Sequence, residues 1–348
     1  MVRALHALAP HARIHLRTTV APWFIAASLH DVPHTMSPVT LDIGICQPNS
    51  ITQDLPATAD ACEALLARRD ALVETERQAL RDLGANLVVS DIPALPFAAA
   101  EAEAIPAFAL GNFTWSWIYR HLVADEPRLG PVADAFDDDY RRADALLRLP
   151  FHGGNEVAAP FRHVIDLPMV ARRSRLEPAD ARRRLGIDGH RPTVLLSFGG
   201  LGPSEIDIDR LARTPDWLFL VTPPGPSRQA PNVRIVGTEE MMARGLRFED
   251  LVRACDVVAS KPGYGIVSEC IANETRLLYT SRGDFAEYPM LVAGIESHGT
   301  SRFIDNETLR IGAWADALDA LMNQPRRPCS VATDGAETAA RHLLERIA

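Results

Sequence analysis

The chain has little of what disulfide-stapled, membrane-spanning or nucleic-acid-binding proteins need. Its five cysteines, at positions 46, 62, 255, 270 and 329, form no CxxC pair and no metal-like spacing, which favours reduced thiols in a cytoplasmic protein. It has no run of eighteen apolar residues, and the opening Met1–Ala9 stretch is too interrupted for a signal peptide. The formal net charge of −9 argues against a nucleic-acid-binding face, so any bound anion must meet a local site.

The composition indicates a globular protein with two domains. A chain of 348 residues with 47% hydrophobic and 23% charged residues is long and apolar enough for two cores. Positive charge is concentrated in two arginine clusters, at 172–175 and 182–184. Such clusters usually belong to a solvated helix face or a linker. Peripheral contact with a membrane surface is the alternative.

Strand and helix patterns alternate along the chain, which predicts an α/β fold with parallel sheets. We expect a first domain over 1–170, a linker over 171–191, a second domain over 192–330 and a final helix over 331–348 that packs back on the first domain. The predicted strands include 13–19, 41–46, 86–90, 145–149, 193–197, 217–222, 233–236 and 256–260. The first predicted element of the chain is a helix, whereas an α/β unit normally begins with a strand. The first strand of the first domain is therefore missing from the pattern, and we expect either a true start upstream of Met1 or a truncated copy.

The most informative stretch is 255–289, which reads as a strand, a glycine loop and a helix. Lys261-Pro-Gly-Tyr-Gly265 separates the strand from the helix, and the helix N-terminus leaves backbone N–H groups free for a phosphate. Lys261 adds a positive charge, and Glu269 falls about one turn into the helix, where a carboxylate can accept two ribose hydroxyls. An ordinary strand-to-helix turn is the alternative. A second glycine loop, at 198–202, is expected at the same sheet edge, so a nucleotide diphosphate is the best-matched ligand.

Several longer motifs carry a resemblance to a known family. The runs LLSFGGLG (195–202), ACDVVASKPGYGIVSE (254–269) and RGDFAEYPML (282–291) resemble the nucleotide-sugar half of GT-B glycosyltransferases. The likeness is strongest to the glycosyltransferase-like domain at the N-terminus of plant L-arabinokinases and its free-standing bacterial relatives. The peptidoglycan GlcNAc transferase is a more distant likeness. The first half agrees through RTTVAPWF (17–24), DIGICQPNSITQD (42–54), VVSDIPALPFAAA (88–100), GNFTWSWIY (111–119) and LPFHGGN (149–155).

The resemblance implies a GT-B fold, in which two Rossmann-like domains face a cleft, and a role for each matching residue. The residues expected to bind the nucleotide-sugar donor are Gly199, Gly200, Gly202, Lys261, Pro262, Gly263, Tyr264, Gly265, Ser268, Glu269, Asp284, Phe285 and Glu287. In two places the sequence departs from the family pattern. The Gly/His-rich loop expected before the first helix is absent, and Ser116 stands where the family tends to have an acidic residue.

The acceptor side is expected in the first domain. Asp91, at the end of a strand, is the preferred general base and His152 the second candidate. Their alternatives are a helix cap for Asp91 and a backbone bond in a tight turn for His152. A sugar-binding pocket or plain core packing are the two interpretations left open for Asn112, Thr114, Trp115 and Trp117.

We expect glycosyl transfer from a nucleotide-sugar, with UDP as the expected nucleotide, with inversion and without metal or cofactor. The acidic runs Asp137–Asp139 and Asp207–Asp209 are candidates for a metal site, but acidic residues are common in polar helices and at helix starts. A nucleotide-sugar epimerase or hydrolase and a non-catalytic nucleotide-sugar sensor are the alternative functions. The acceptor is unknown, and a nucleic-acid partner is not expected.

Overall fold

Parallel β-strands form the framework of both halves. The structure is a computed structural model that describes residues 1–48, 52–187, 190–198, 206–223 and 230–347. The elements of the first domain are α1 (Val2–Leu8), β1 (His15–Arg17), α2 (Pro22–Leu29), β2 (Thr35–Ser37), α3 (Leu55–Leu66), α4 (Arg69–Leu83), β3 (Val88–Ser90), α5 (Leu95–Ala102), β4 (Ala107–Gly111), α6 (Trp115–His121), α7 (Leu129–Tyr140), β5 (Ala145–Arg148), α8 (Asn155–Ala158) and β6 (Val164–Asp166).

The second half continues the alternation. Its elements are α9 (Pro178–Leu185), β7 (Thr193–Leu196), α10 (Ile208–Ala212), β8 (Leu218–Val221), β9 (Val233–Ile235), α11 (Thr238–Ala243), α12 (Phe248–Ala254), β10 (Val257–Ser260), α13 (Tyr264–Ala272), β11 (Arg276–Tyr279), α14 (Tyr288–His298), β12 (Ser301–Phe303), α15 (Asn306–Arg310), α16 (Ala315–Met322) and α17 (Gly335–Glu345). In the described part of the chain, no helix has the length and apolar character needed to cross a membrane.

Two parallel sheets and one parallel strand pair result. The second domain has six strands in the order β12-β11-β10-β7-β8-β9, and the first has four in the order β3-β4-β5-β6. β1 and β2 form a separate pair, with His15 opposite Thr35. Because β7 and β10 are parallel neighbours, the chain leaves both strands at the same edge of the sheet. The predicted α/β class with parallel sheets is confirmed.

Helices cover both faces of each sheet. On one face of the first domain, Phe97, Tyr119 and Phe136 belong to a buried apolar cluster. On the other face, Ala339 and Leu343 of α17 pack with strand residues of β4 and β5. The final helix thus returns to the first domain and lies against α1.

Some local predictions differ from the structure. Residues 41–46 were predicted as a strand, but they form no strand; a strand requires a hydrogen-bonded neighbour, and β1 is paired with β2 instead. The sequence shows one helical periodicity over 57–83, but the structure has two helices there, α3 and α4, which are separated at Ala67–Arg68. The single periodicity across 57–83 does not reveal this break.

The return of α17 depends on a close backbone contact at its first residue. A Cβ added to Gly335 would lie 2.1 Å from the carbonyl oxygen of Pro168, and this backbone cannot rotate away as a side chain does. We expect Gly335→Ala to lower the free energy of unfolding by about 2 kcal/mol. Chemical denaturation measures this change. The matched control is Gly130→Ala in α7, where the nearest atom is 3.9 Å away; equal stability of the two variants would contradict the contact.

Candidate functional site

The glycine loop that follows β10 opens the candidate site. β10 is fully buried between β7 and β11, and α13 begins at Tyr264 with Gly263 as its N-cap and no side-chain cap. A Cβ added to Gly263 or Gly265 would meet no atom within 4 Å. Packing in the protein therefore does not explain these glycines. They leave open space beside unsatisfied N–H groups of a helix N-terminus, which is the geometry that binds phosphate.

The neighbouring glycine loop cannot be assessed. Gly199, Gly200 and Gly202 lie outside the described residues. Their predicted contact with the donor stays a prediction.

Two cations lie at this loop. Burial, with a smaller contribution from the positive charge of Arg282, lowers the pKa of Lys261 to about 8. Arg282 itself lies at the end of the loop after β11, where its Nη1 is 3.4 Å from the carbonyl oxygen of Pro262. Two positive residues, Lys261 and Arg282, thus lie at the glycine loop, whereas the sequence analysis identified only Lys261. The missed signal is the arginine that opens the RGDFAEYPML motif.

Tyr264 and Ser268 make contacts within the protein. The Tyr264 hydroxyl accepts the Val170 N–H at 3.2 Å, and its ring packs against Phe151. Burial raises the pKa of Tyr264. The Ser268 hydroxyl donates to the Gly265 carbonyl at 3.0 Å and is almost fully buried. Tyr264 and Ser268 therefore stabilise the loop and the start of α13 through hydrogen bonds within the protein.

Glu269, the predicted ribose ligand, is 3% exposed and forms an ion pair with Arg172. Burial raises the pKa of the Glu269 carboxyl, and the Arg172 charge opposes this rise. The Arg172 guanidinium also lies 5.2 Å from the centre of the Phe248 ring. Arg182, in the other arginine cluster, pairs with Asp256. These intramolecular pairs favour a linker over a membrane contact for both clusters.

The segment 284–287 joins the two domains. Phe285 and Ala286 lie in the buried apolar cluster of the first domain. Asp284 is 2.6 Å from His121 of α6, and its carbonyl oxygen accepts from Gln53. Glu287 is 3% exposed and accepts a hydrogen bond of 2.8 Å from Asn112. Each predicted donor residue here contacts the first domain.

Asp91 is an exposed carboxylate of the first domain. It follows β3 and is exposed to water, although protein surrounds its carboxyl on most sides. This burial raises its pKa to about 6; the nearby Met1 amine opposes the rise, and Asp42 adds a smaller contribution to it. It does not cap the next helix, because α5 has Ala94 as N-cap and no side-chain cap. The capping alternative for Asp91 is therefore wrong.

His152 sits in a tight turn. Its Nδ1 accepts the Gly154 N–H at 2.9 Å, which is the backbone bond given as its structural alternative. Burial and the nearby Arg148 lower its pKa. A base held in this way has one ring nitrogen engaged, so Asp91 is the better placed of the two predicted bases.

The four predicted acceptor residues are all engaged by other protein groups. Thr114 is fully buried and caps α6 by accepting from the Trp117 N–H. The Trp115 Nε1 donates to Asp42 at 2.7 Å and its ring stacks on Tyr119. The Trp117 Nε1 donates to Glu156 at 2.9 Å. Asn112 bonds Glu287, as above. Of the two interpretations left open by the sequence, core packing describes Thr114 best.

Asp42 is a carboxylate bonded to Trp115 that the sequence analysis did not single out. Burial raises the pKa of its carboxyl, and Trp115 donates to it. The sequence analysis overlooked Asp42 because residues 41–46 were predicted as a strand, and nothing in that pattern marks Asp42 as different from its neighbours.

The acidic runs considered for metal are engaged elsewhere. Asp137, Asp138 and Asp139 pair with arginines, and Asp207 caps α10 by accepting from the Arg210 N–H. Among the described residues, no group of three or more His, Cys, Asp and Glu side chains could hold a metal ion.

The Arg172–Glu269 pair can be tested through stability. Arg172→Ala leaves a buried carboxylate without its counter-charge, and we expect it to lower the free energy of unfolding by about 2 kcal/mol at pH 7.5. Because the folded-state pKa of Glu269 then rises further, the loss should shrink as the pH falls toward 4.5, the ordinary value for glutamate. Urea unfolding at pH 7.5 and 4.5 measures both. Arg172→Ala with Glu269→Gln should recover most of the loss; an equal loss at both pH values would contradict the pair.

Comparison with known proteins gives one similar curated sequence. The chain is 29% identical over 347 residues to L-arabinokinase of Arabidopsis thaliana. The aligned region covers 99% of this chain and 32% of that protein. The chain thus spans about a third of the length of this relative. No family model matches the chain.

Solved structures share the fold over nearly the whole chain. The kitacinnamycin glycotransferase has a TM-score of 0.58 at 16% identity, covering 99% of this chain and 90% of that chain. Staphylococcus aureus MnaA with UDP has a TM-score of 0.60 at 11% identity, covering 99% and 92%. Medicago truncatula UGT71G1 with UDP-glucose has a TM-score of 0.60 at 10% identity, covering 99% and 94%. The chain therefore has the α/β fold of the GT-B glycosyltransferases.

Proposed function

We propose that this protein is a glycosyltransferase that binds a nucleotide-sugar at the N-terminus of α13. The observation that carries the proposal is the open space at Gly263 and Gly265, beside Lys261 and an uncapped helix N-terminus. A diphosphate is the group that fits several convergent N–H donors and a lysine. Solved structures with the same fold include complexes with UDP, UDP-glucose and dTDP, which supports a nucleotide-linked donor.

In the proposed reaction, Asp91 acts as the general base. Its carboxylate takes the proton of the acceptor hydroxyl as the acceptor oxygen forms a bond to the anomeric carbon of the sugar. The bond from that carbon to the phosphate oxygen breaks, and its electron pair leaves with the diphosphate. One displacement with one base inverts the anomeric centre and requires no covalent intermediate. The helix N-terminus and Lys261 stabilise the leaving charge, so the proposal includes no metal.

Glu269 is proposed to hold the ribose of the donor. Arg172 places a positive charge beside this carboxylate and so favours the ionised form, which accepts hydroxyl hydrogen bonds. All five cysteines are free, which supports the proposal of a reducing, cytoplasmic setting.

Donor binding should depend on the charge of Lys261. We expect Lys261→Ala to weaken UDP binding about tenfold, because it removes a charge-assisted contact to phosphate. Since the pKa of Lys261 is about 8, wild-type affinity should fall between pH 7 and 9 as the amine loses its proton. UDP stays fully charged over this range. Lys261→Arg should remove the pH dependence, because arginine stays protonated.

Isothermal titration calorimetry with UDP at pH 7, 8 and 9 measures these affinities. Arg141→Ala, which removes a surface arginine paired with Asp138 on α7, is the control. Equal UDP affinity in the wild type and in Lys261→Ala would remove the phosphate site from this loop.

Turnover should depend on Asp91. We expect Asp91→Asn to lower turnover by about 100-fold or more while UDP affinity stays unchanged, because amides accept no proton at this pH. In the wild type, the rate at limiting donor should rise with pH through about 6, where Asp91 ionises. UDP release from a panel of UDP-sugars, with and without candidate acceptors, is the readout. Asp138→Asn on the surface of α7 is the matched control.

The same assay separates the alternative functions. UDP release that needs no acceptor identifies a hydrolase, and an epimerised donor identifies an epimerase. If UDP binds but Lys261→Ala and Asp91→Asn change no measured turnover, the protein is a nucleotide-sugar sensor.

A further inference from the structure

Arg282 is the cation at the donor loop to which neither the sequence motif nor the comparisons give a role. It follows β11, so it enters the same sheet edge as the loop after β10. Its Nη1 lies 3.4 Å from the Pro262 carbonyl oxygen, next to Lys261 in the chain. Two positive residues thus lie close to the N-terminus of α13, which is itself the positive end of the helix dipole.

The Arg282 side chain is fixed in one orientation. Its guanidinium carbon lies 3.9 Å above the centre of the Phe285 ring, and its Nη1 donates to Glu287 Oε2 at 2.8 Å. Its Nε is buried and has no hydrogen-bond partner within the described ranges of the chain. A guanidinium carries five N–H donors, so this arginine is held in place while keeping donors for a further acceptor.

Glu287 is engaged on both oxygens. Oε2 accepts from Arg282 and Oε1 accepts from Asn112 Nδ2 at 2.8 Å. Asn112 belongs to the first domain, directly after β4, and also donates to the Phe151 carbonyl at 3.3 Å. Glu287 and Asn112 are each 3% exposed. This geometry makes Glu287 the counter-charge that orients Arg282 and leaves little of it for a sugar hydroxyl.

We propose that Arg282 is a second phosphate-binding cation of the donor site, and that Glu287 and Asn112 are positioning residues that hold it there. The proposal rests on the proposed nucleotide-sugar site. Two cations at a helix N-terminus repel one another, and a bound diphosphate relieves this repulsion. Lysine offers a point charge, whereas the guanidinium offers a planar pair of donors to the second phosphate.

One consequence is that the first domain contributes to phosphate affinity without touching the ligand. Loss of the Asn112 amide removes one of the two bonds that fix Glu287, and Glu287 in turn fixes Arg282. The effect should therefore be specific to ligands that carry phosphate. A purely structural role for Asn112 would instead weaken every ligand of the cleft.

The test compares UDP, uridine and inorganic pyrophosphate by calorimetry on the full chain. We expect Arg282→Ala to weaken UDP and pyrophosphate about 10- to 100-fold and to leave uridine unchanged. Arg282→Lys, which keeps the charge, should recover part of the UDP affinity. Asn112→Ala should weaken UDP about threefold, again without a change for uridine. Arg183→Ala, an exposed arginine that pairs with Asp180 on α9, is the matched control.

The outcomes separate this proposal from the one it rests on. If UDP binds normally to a folded Arg282→Ala variant, Arg282 is not a phosphate ligand and the donor site stands without it. If pyrophosphate binds through Arg282 but no nucleotide does, the phosphate site stands and the nucleotide-sugar function fails. If neither nucleotide nor pyrophosphate binds to the wild type, both proposals fail. Circular dichroism establishes folding of each variant, and Arg282→Gln, which also removes the charge but keeps more of the side chain, replaces Arg282→Ala if the latter is unfolded.

Discussion

The insertion of Phe285 and Ala286 into the core of the first domain is the contact on which the candidate site depends. Both side chains are buried there, although they belong to a loop of the second domain. Burying an aromatic ring of this size contributes about 2 kcal/mol. Arg282 and Glu287 flank the inserted pair, so their positions are set by a contact between domains.

The charged residues beside this contact provide a positive potential that the chain as a whole lacks. With a net charge of −9, the protein does not attract a nucleotide diphosphate through its overall field. For the proposed nucleotide-sugar site the positive potential has to be local, and the end of α13, Lys261 and Arg282 are the groups proposed to supply it. Arg282 comes at the cost of a buried counter-charge, Glu287, whose second oxygen is satisfied by an amide from the other domain. A neutral donor there adds no further charge to the phosphate site.

What could be predicted from the sequence was what is local in the chain. The alternation of strands and helices and the loop at 261–265 are encoded in short windows, and the structure has them. The prediction of a strand at 41–46 was wrong because strand formation depends on a neighbouring strand that no short stretch of sequence specifies. Arg282 was missed for a similar reason: its role follows from a bond between residues 112 and 287, which are 175 positions apart.

The same reasoning bears on the acceptor. Aromatic residues near a cleft suggest sugar stacking, but both indole N–H groups of the Trp115–Trp117 pair are bonded to carboxylates. A Cβ added to Gly153 would lie 2.3 Å from the Trp117 ring, so this ring packs closely against the backbone of the turn that holds His152. The two tryptophans therefore hold Asp42 and this turn in position. In the proposed reaction, acceptor recognition then relies on groups that stay open to water, and the exposed Asp91 is one of them.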